Sequence, residues 1–192
     1  MRLEPGLPQR YDGDRPSREQ SALRGTGIVN GGRLEVKVAS VQADRAACME
    51  LRRRVFIEEQ GVSQSDEWDG LDDASVHLLA IEDGLPVGTA RLRILADGQA
   101  KAERVAVLAD RRGAGIGRLM MHLAMDLARE RNAVIMVLGA QLTAIPFYQR
   151  LGFEATGAVF DDAGIPHRRM HRDLRENGLI GGDNDNGDLR AG

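Results

Sequence analysis

Three glycines alternate in the run Arg112-Gly113-Ala114-Gly115-Ile116-Gly117. The run follows an apolar, strand-like segment at residues 105–107 and opens a long helical pattern. Glycines let a backbone approach a ligand closely, and the first amides of a helix have no partner within that helix. Those amides and the positive end of the helix dipole suit a pyrophosphate. The order of strand, glycine turn and helix therefore predicts an anion-binding turn.

The residues around the turn favour this interpretation over a purely structural one. Arg111, Arg112 and Arg118 are cationic, and no carboxylate lies between Asp110 and Asp126. Without these flanks, alternating glycines fit a helix cap or a tight connection equally well. A Walker loop is excluded because the run does not end in Gly-Lys followed by Ser or Thr, and the spacing also differs from the G-x-G-x-x-G of dinucleotide-binding folds.

The spacing Arg-x-x-Gly-x-Gly resembles the acyl-CoA signature of the GNAT superfamily of N-acetyltransferases. The likeness extends over residues 107–117, with Ala109 where that family often has proline. A second segment, residues 138–153, is similar to the other motif of the family: a strand, a short helix with Phe-Tyr, and then Leu-Gly-Phe. The resemblance covers roughly residues 34–174.

Alternating strand and helix patterns predict a single α/β domain. The resemblance implies the GNAT fold, in which a mixed, mostly antiparallel central sheet of six to seven strands is flanked by about four helices. We expect strands at residues 34–38, 76–81, 87–94, 102–107, 134–138, 153–160 and 166–174. Helices are expected at 44–60 and 115–132, with a short one from Thr143.

The domain is expected to span residues 33–176 of the 192-residue chain. Residues 1–32 contain three prolines, charges of both signs and no sustained apolar period, and we predict a disordered tail there. A second disordered tail is predicted at residues 177–192, which are rich in glycine, asparagine and aspartate.

Composition limits the range of partners and compartments. The net charge of −3 does not suggest nucleic-acid binding, and no apolar run approaches the length of a membrane span. The single cysteine, Cys48, cannot form an internal disulfide, and a cytoplasmic location is the simplest expectation. The expected partner is a small-molecule amine, and relatives in the family often form homodimers.

The resemblance implies acetyl-CoA as the co-substrate; from the spacing of the histidines we expect no metal. The expected cofactor-binding residues are Val105, Ala106, Val107, Arg112, Gly113, Ala114, Gly115, Ile116, Gly117, Arg118 and Tyr148. In the family, the strand before the turn splays from the next strand, and its free backbone groups pair with the pantetheine arm. By resemblance, those groups belong to Val105 and Val107. The acetyl group would pass to a primary amine by direct attack in a ternary complex.

Two residues are candidates for proton transfer. Tyr148 stands where the family often keeps a general acid, and a phenol can protonate a departing thiolate; alternatively, it only packs on the cofactor or core. Glu103 precedes Val105 by two residues and shares its face of the strand, so it could be the general base. It could equally be a solvated glutamate at a sheet edge.

The segment at residues 58–73 is acidic and contains no lysine or arginine. One interpretation is an acidic rim that attracts a cationic amine; the other is a solvated loop. His167 and His171 are too far apart on a strand to chelate a metal. His77 and Cys48 are expected to be ordinary packed residues.

Two other functions remain open from the sequence. Arg52-Arg53-Arg54-Val55-Phe56, with the later Glu67-Trp68-Asp69 and Arg91, also resembles acyl-homoserine lactone synthases, although Val62 stands where those enzymes have tryptophan. The intact glycine turn is unlike that group and closer to small bacterial GNAT proteins. The domain could also bind acyl-CoA as a sensor or an interaction module without transferring a group.

Overall fold

The computed structural model describes residues 24–29 and 32–175. It contains one eight-stranded sheet with the strand order β1-β2-β3-β4-β5-β6-β8-β7. The pair β5–β6 is parallel and the other neighbouring strands are antiparallel. The strands are β1 Arg24–Val29, β2 Gly32–Val38, β3 Val76–Glu82, β4 Leu85–Ile94, β5 Ala100–Val107, β6 Ile135–Gln141, β7 Glu154–Asp162 and β8 Ile165–Asp173.

Four α-helices accompany the sheet: α1 Gln42–Arg52, α2 Gln64–Glu67, α3 Ile116–Glu130 and α4 Ile145–Arg150. Short 3-10 turns at Ala109–Arg111 and Leu142–Ala144 precede α3 and α4. The apolar stripe of α3 is buried against one face of the sheet, where Leu78 and Leu92 contribute to the main core. Cys48 and Leu51 of α1 pack with Leu79 in a second cluster on the other face, as expected for neighbours on a pleated strand.

These features confirm the predicted mixed α/β fold with a mostly antiparallel sheet, but the sheet has one more strand than expected. The additional strand, β1, lies inside the stretch predicted as a tail and pairs with β2, Gly25 opposite Val36. Glycine disfavours strands locally, which hides β1 from sequence patterns. A Cβ at Gly25 would lie 3.1 Å from Leu119 Cδ1 of α3, so close packing accounts for glycine there. Residues 1–23 and 177–192 of the predicted tails lie outside the described residues.

The predicted helix at residues 44–60 is not uniform. Helix α1 begins at Gln42 and passes at Arg53 into a π-helical segment, Arg53–Glu59. Within it, Gln60 N–H donates to Val55 O at 3.2 Å, a bond that spans five residues. Wide helical turns of this kind often mark functional sites, and this segment borders the cleft described below.

The central sheet is split between β5 and β6. The two strands pair only at Ala100 with Met136 and at Lys101 with Val137, after which they diverge. This confirms the expected splay beside the glycine turn. The divergence opens a gap in the middle of the sheet, directly in front of α3.

Candidate functional site

The glycine turn presents unpaired main-chain donors at the start of α3. Gly113 and Gly115 both have φ of +82°, a conformation that L side chains rarely adopt, and a Cβ at either would meet nothing within 4 Å. The first helical bond runs from Leu119 N–H to Gly115 O at 3.1 Å. Among the described residues, the amides of residues 113–118 therefore have no backbone acceptor. We call them the turn amides.

Other residues of the turn contribute packing. A Cβ on Gly117 would lie 3.2 Å from Phe147 Cζ, so this glycine lets α3 approach α4 closely. Ile116 is buried in the core, and Ala114 packs against it. At Ile116 only the main chain is therefore available to a ligand.

The arginines beside the turn have different surroundings. Arg112 donates from Nε to Val107 O at 3.0 Å and pairs with Glu59 at 2.7 Å, which braces the turn against the π-helical segment. Arg111 pairs with Glu82 at 2.7 Å. Arg118 is exposed on the first turn of α3. A phosphate role for Arg112 would thus require it to share or release Glu59.

The edge of β5 next to the split carries free backbone groups. Leu108 N–H bonds to Val87 O at 3.0 Å, so the alternating groups at Leu108 and Ala106 point towards β4. The backbone groups of Val105 and Val107 point the other way, towards the diverging β6. The Val107 carbonyl accepts from Arg112, which leaves its N–H and both groups of Val105 facing the gap.

A cleft of about 840 Å³ extends from this edge across the sheet. Phe56, Gln60 and Val62 line one side, and β8 residues line the other. Gln60, the residue after the π-helical segment, accepts at Oε1 from Gln141 Nε2 at 2.9 Å. This bond links the π-helical segment to the end of β6 across the cleft.

Tyr148 of α4 lines the cleft although it is only 7% exposed. Its ring makes edge-to-face contacts with Phe147 and Phe153, at centroid distances of 4.9 and 5.9 Å. Burial raises the pKa of the Tyr148 phenol well above its usual value, so the hydroxyl keeps its proton. The structure thus brings Tyr148 and Val105 to the same cleft.

Glu103 also lines the cleft, but its surroundings oppose the predicted role of general base. Its carboxylate pairs with Lys101 at 2.6 Å, Arg91 at 2.9 Å and Arg93 at 3.5 Å. Burial raises the pKa of Glu103, but the bond and charge of Lys101 and the charges of Arg91 and Arg93 outweigh it and leave that pKa below its ordinary value. A carboxylate held by three cations accepts a proton poorly. Nor is Glu103 the solvated residue of the alternative interpretation.

Part of the acidic segment is paired with buried arginines, whereas Glu58, Glu59, Asp66 and Asp73 are exposed. Arg52, fully buried, bonds to Glu67 and Asp72 at 2.5 Å and lies 5.0 Å from the centroid of Trp68. Arg91, also buried, bonds to Asp69 at 2.5 Å and to Asp72 at 3.0 Å. The charges of Glu67, Asp69 and Asp72 are therefore balanced by arginines. We call this set, with Arg104 and Glu103, the charge cluster.

The sequence analysis named Arg52 and Arg91 only as part of a resemblance and did not predict that the arginines of the charge cluster pair with the acidic segment. Arg52 lies four residues after Cys48, on the buried face of α1, and this position was a usable signal. Arg104 could not be anticipated, because its φ of +51° arises at a bulge where β5 shifts register against β4. From there its Nε reaches Glu67 at 2.8 Å, so the bulge ties β5 to α2.

The remaining candidates are packed or peripheral. His77 is buried with Nε2 3.0 Å from Asp72 O, and burial lowers the pKa of its ring. Cys48 is buried, and burial raises the pKa of its thiol to about 11. No three His, Cys, Asp or Glu side chains in the described part of the chain form a group that could hold a metal ion. Within residues 24–29 and 32–175, no helix combines the length and apolar character needed to cross a bilayer.

Comparisons with known proteins agree with this geometry. Residues 45–153 match the Acetyltransferase (GNAT) family. The chain is 34% identical over 147 residues to YyaT of Bacillus subtilis (strain 168), covering 75% of this chain and 99% of that protein. It is 38% identical over 124 residues to YjcF of the same organism, an uncharacterized N-acetyltransferase, covering 64% of this chain and 88% of that protein.

Solved structures show the same likeness. An acyl-CoA N-acyltransferase from Pseudomonas aeruginosa superposes with a TM-score of 0.63 at 30% identity, covering 73% of this chain and 99% of that one. An aminoglycoside 6'-N-acetyltransferase complexed with coenzyme A shares the fold alone, with a TM-score of 0.59 at 15% identity, covering 72% of this chain and 96% of that one. The chain therefore belongs to the GNAT family of acetyltransferases, which transfer acyl groups from acyl-CoA to amines.

Proposed function

We propose that the protein transfers an acetyl group from acetyl-CoA to a primary amine by direct attack in a ternary complex. The observation that carries this proposal is the free edge of β5, which lines the cleft together with Tyr148 and leads along the chain into the glycine turn. Val105 and Tyr148 line one cleft beside the split in the sheet, and the turn amides at the start of α3 have no backbone acceptor. Each corresponds to a different part of a thioester cofactor.

The proposed cofactor position follows from these groups. The diphosphate binds the turn amides, with Arg118 exposed beside them. The pantetheine arm lies against β5 like an additional strand and pairs with Val105 and the Val107 N–H. A main-chain N–H at this edge also polarises the thioester carbonyl; in other acyl transfers one such donor contributes roughly 3–4 kcal/mol.

Tyr148 is the proposed general acid. The amine nitrogen attacks the carbonyl carbon, the carbon–sulfur bond breaks, and the phenol protonates the departing thiolate. The proton that the amine loses leaves through the water of the open cleft and restores the phenol. A phenol held neutral by burial remains a proton donor throughout the ordinary assay range.

We assign Glu103 a positioning role instead of a basic one. An alkylammonium with a pKa of about 10.4 must lose a proton before it attacks. In the ternary complex that proton passes to the water of the open cleft. Glu103 instead holds Lys101 and Arg93 in place at the cleft floor.

The acceptor is proposed to be a small-molecule amine, with no second positive charge required. The expectation of a cationic acceptor depended on the acidic segment, whose Glu67, Asp69 and Asp72 are paired with arginines. The proposal therefore requires only one positive charge on the acceptor, that of its own ammonium group before it loses a proton.

The test measures free thiol released from acetyl-CoA in the presence of a panel of primary amines. Direct attack predicts intersecting initial-velocity lines and unchanged kinetics for Cys48→Ala, because the thiol is buried and its pKa is raised to about 11. Parallel lines with an acetylated enzyme detected by mass spectrometry would overturn direct attack. Acyl-CoA binding without thiol release for any amine would overturn transfer.

A further inference from the structure

We propose that the amine acceptor carries an anionic group, a carboxylate or phosphate, which binds a row of basic side chains on the cleft floor. This basic row consists of Arg93, Lys101, Arg169 and His171, all of which line the cleft. The inference rests on the proposed function and names the substrate class of the same site.

Strand register places these side chains on one face of the sheet. Arg93 of β4 lies opposite Lys101 of β5, Lys101 opposite Val137 of β6, and Val137 opposite His171 of β8. Residues directly opposite each other share a face, so this row crosses four strands. Arg169 lies two residues before His171 and therefore on the same face, opposite Gly139.

The spacing lets the cations converge on one group. Neighbouring strands lie about 4.8 Å apart, and same-face neighbours along a strand about 6.6 Å. Val137 and Gly139, between Lys101 and Arg169, have short or absent side chains and form a depression. Phe160 lies over Gly139, where a Cβ would be 3.3 Å from its ring, and provides an apolar wall for the carbon chain of a substrate.

The positive charges on the cleft floor outnumber the carboxylates beside them. In the charge cluster, Arg52, Arg91 and Arg104 match Glu67, Asp69 and Asp72. That leaves Glu103 as the carboxylate within salt-bridge distance of both Arg93 and Lys101.

Arg169 adds a further positive charge. It is exposed, and its guanidinium carbon lies 5.9 Å from the centroid of Phe160. No described carboxylate lies within 4 Å of Arg169. Stacking on an aromatic ring keeps a guanidinium in place while leaving its donors available to a carboxylate or phosphate.

Two carboxylates lie elsewhere on the cleft wall. Asp66 belongs to α2, where it bonds to the hydroxyl of Ser63 at 2.7 Å. Asp162 is at the tip of the β7–β8 hairpin, opposite Ile165, four strand residues or about 13 Å from Arg169. Neither adjoins the basic row, so an anion bound there meets an excess of positive charge.

The geometry also limits how close the anionic group and the amine of the acceptor can be to each other. Lys101 lies on the same strand as Val105, where the thioester is proposed to bind, and four residues separate them. An acceptor whose anion is at the basic row therefore needs a carbon spacer to bring its amine to the thioester. This arrangement favours ω-amino acids or amino phosphates over polyamines.

The experiment compares matched amines with the full-length protein and acetyl-CoA. One series contains ω-amino carboxylates of increasing chain length and their neutral amides; another pairs O-phosphoethanolamine with ethanolamine. Thiol release should show kcat/KM about tenfold or more higher for the best anionic amine than for its neutral partner. The carboxylate and phosphate series distinguish the two sources of the anion.

Three variants locate the effect. Lys101→Met and Arg169→Gln should each remove most of the advantage of the anionic amine. Arg168→Gln, which removes one positive charge from the next position on β8, on the opposite face, should preserve it. Neutral or polycationic amines as the best acceptors would overturn the inference, as would an advantage that survives both Lys101→Met and Arg169→Gln.

Calorimetry separates failure of this inference from failure of the proposed function. The anionic amines are titrated into CoA-saturated protein. Binding that Lys101→Met weakens, without transfer, would support the basic row and count against transfer. Transfer to neutral amines with no measurable binding of the anionic amines would reject the basic row and leave the transferase assignment intact.

Discussion

Three glycines in one turn have two different physical roles. Gly113 and Gly115 are required by their positive φ, whereas Gly117 is required by the approach of Phe147. The sequence does not distinguish these two roles, because glycine is the residue in both cases. The sequence predicted an anion-binding turn because its spacing resembles a known signature, and the structure supplies a separate physical reason for each glycine.

Replacement of Gly115 by glutamate should weaken CoA binding about tenfold or more, because it places a carboxylate at the turn amides. The side chain meets no clash in the open turn, so the effect is mainly electrostatic and conformational. Isothermal titration with CoA measures it. Gly84→Glu is the matched control, because Gly84 has the same φ of +82° in the β3–β4 turn. Equal affinity in the Gly115 variant would reject this turn as the diphosphate site.

Tyr148→Phe should lower kcat on the order of a hundredfold while changing the KM for acetyl-CoA little. The substitution keeps the ring that contacts Phe147 and Phe153 and removes only the hydroxyl. Steady-state kinetics with the best amine of the panel gives the two constants. A loss expressed entirely through KM would reassign Tyr148 to cofactor binding.

At the scale of elements, the charge cluster joins four parts of the chain that the sequence separates. It links α1 through Arg52, α2 through Glu67, β4 through Arg91 and β5 through Arg104. These residues hold the cleft wall against the sheet. The acids of this cluster at residues 67–72 looked like part of a solvated or substrate-attracting segment in the sequence, because pairing with arginines 15 to 37 residues away leaves no local pattern.

Arg91→Met should destabilise the protein by about 3–5 kcal/mol, because it removes the buried cation that bonds to Asp69, Asp72 and Glu103 together. Urea unfolding followed by circular dichroism measures the change. Arg53→Met is the matched control: Arg53 also bonds to two glutamates, but on the surface, and its loss should cost far less. Similar losses for the two variants would show that burial does not determine the strength of these pairs.

The same cluster should make stability fall in acid. The hydrogen bond from Arg91 holds the pKa of Asp69 below its ordinary 3.8, with burial opposing. A carboxyl with a lowered folded pKa stabilises the protein above its unfolded pKa, and this contribution disappears as the pH falls below about 4. Urea midpoints measured between neutral pH and pH 3 should therefore fall for the wild type and change less for Arg91→Met. A steeper decline in the variant would contradict this linkage.

The elements also divide into those that the sequence predicts and those that need tertiary contacts. Helix α3 and strand β3 carry strong apolar patterns of their own and were predicted closely. Strand β1 has two glycines and depends on pairing with β2 and on contact with Leu119 of α3. The π-helical segment has helical composition, so its wider turn arises from its surroundings and not from propensity.

At the scale of the whole molecule, the sheet consists of two blocks joined at β5 and β6. This central pair of strands shares only two residue pairs. The motifs at residues 107–117 and 138–153 lie on the two sides of this split, so two separate segments of the sequence were enough to predict a site there. The side chains of the basic row come from β4, β5 and β8, and no local pattern in the sequence brings them together.

Acyl-CoA should complete the sheet at the split, and amide hydrogen exchange can detect this. The N–H groups of Val105 and Val107 face the gap, so pairing with the pantetheine should slow their exchange when acetyl-CoA is added. The N–H of Ala106, on the β4 side of the same strand, is the internal control and should change much less. NMR exchange rates with and without the cofactor separate the alternating residues. Uniform slowing along residues 105–107 would indicate general stabilisation and argue against an added strand, as would slowing confined to α3.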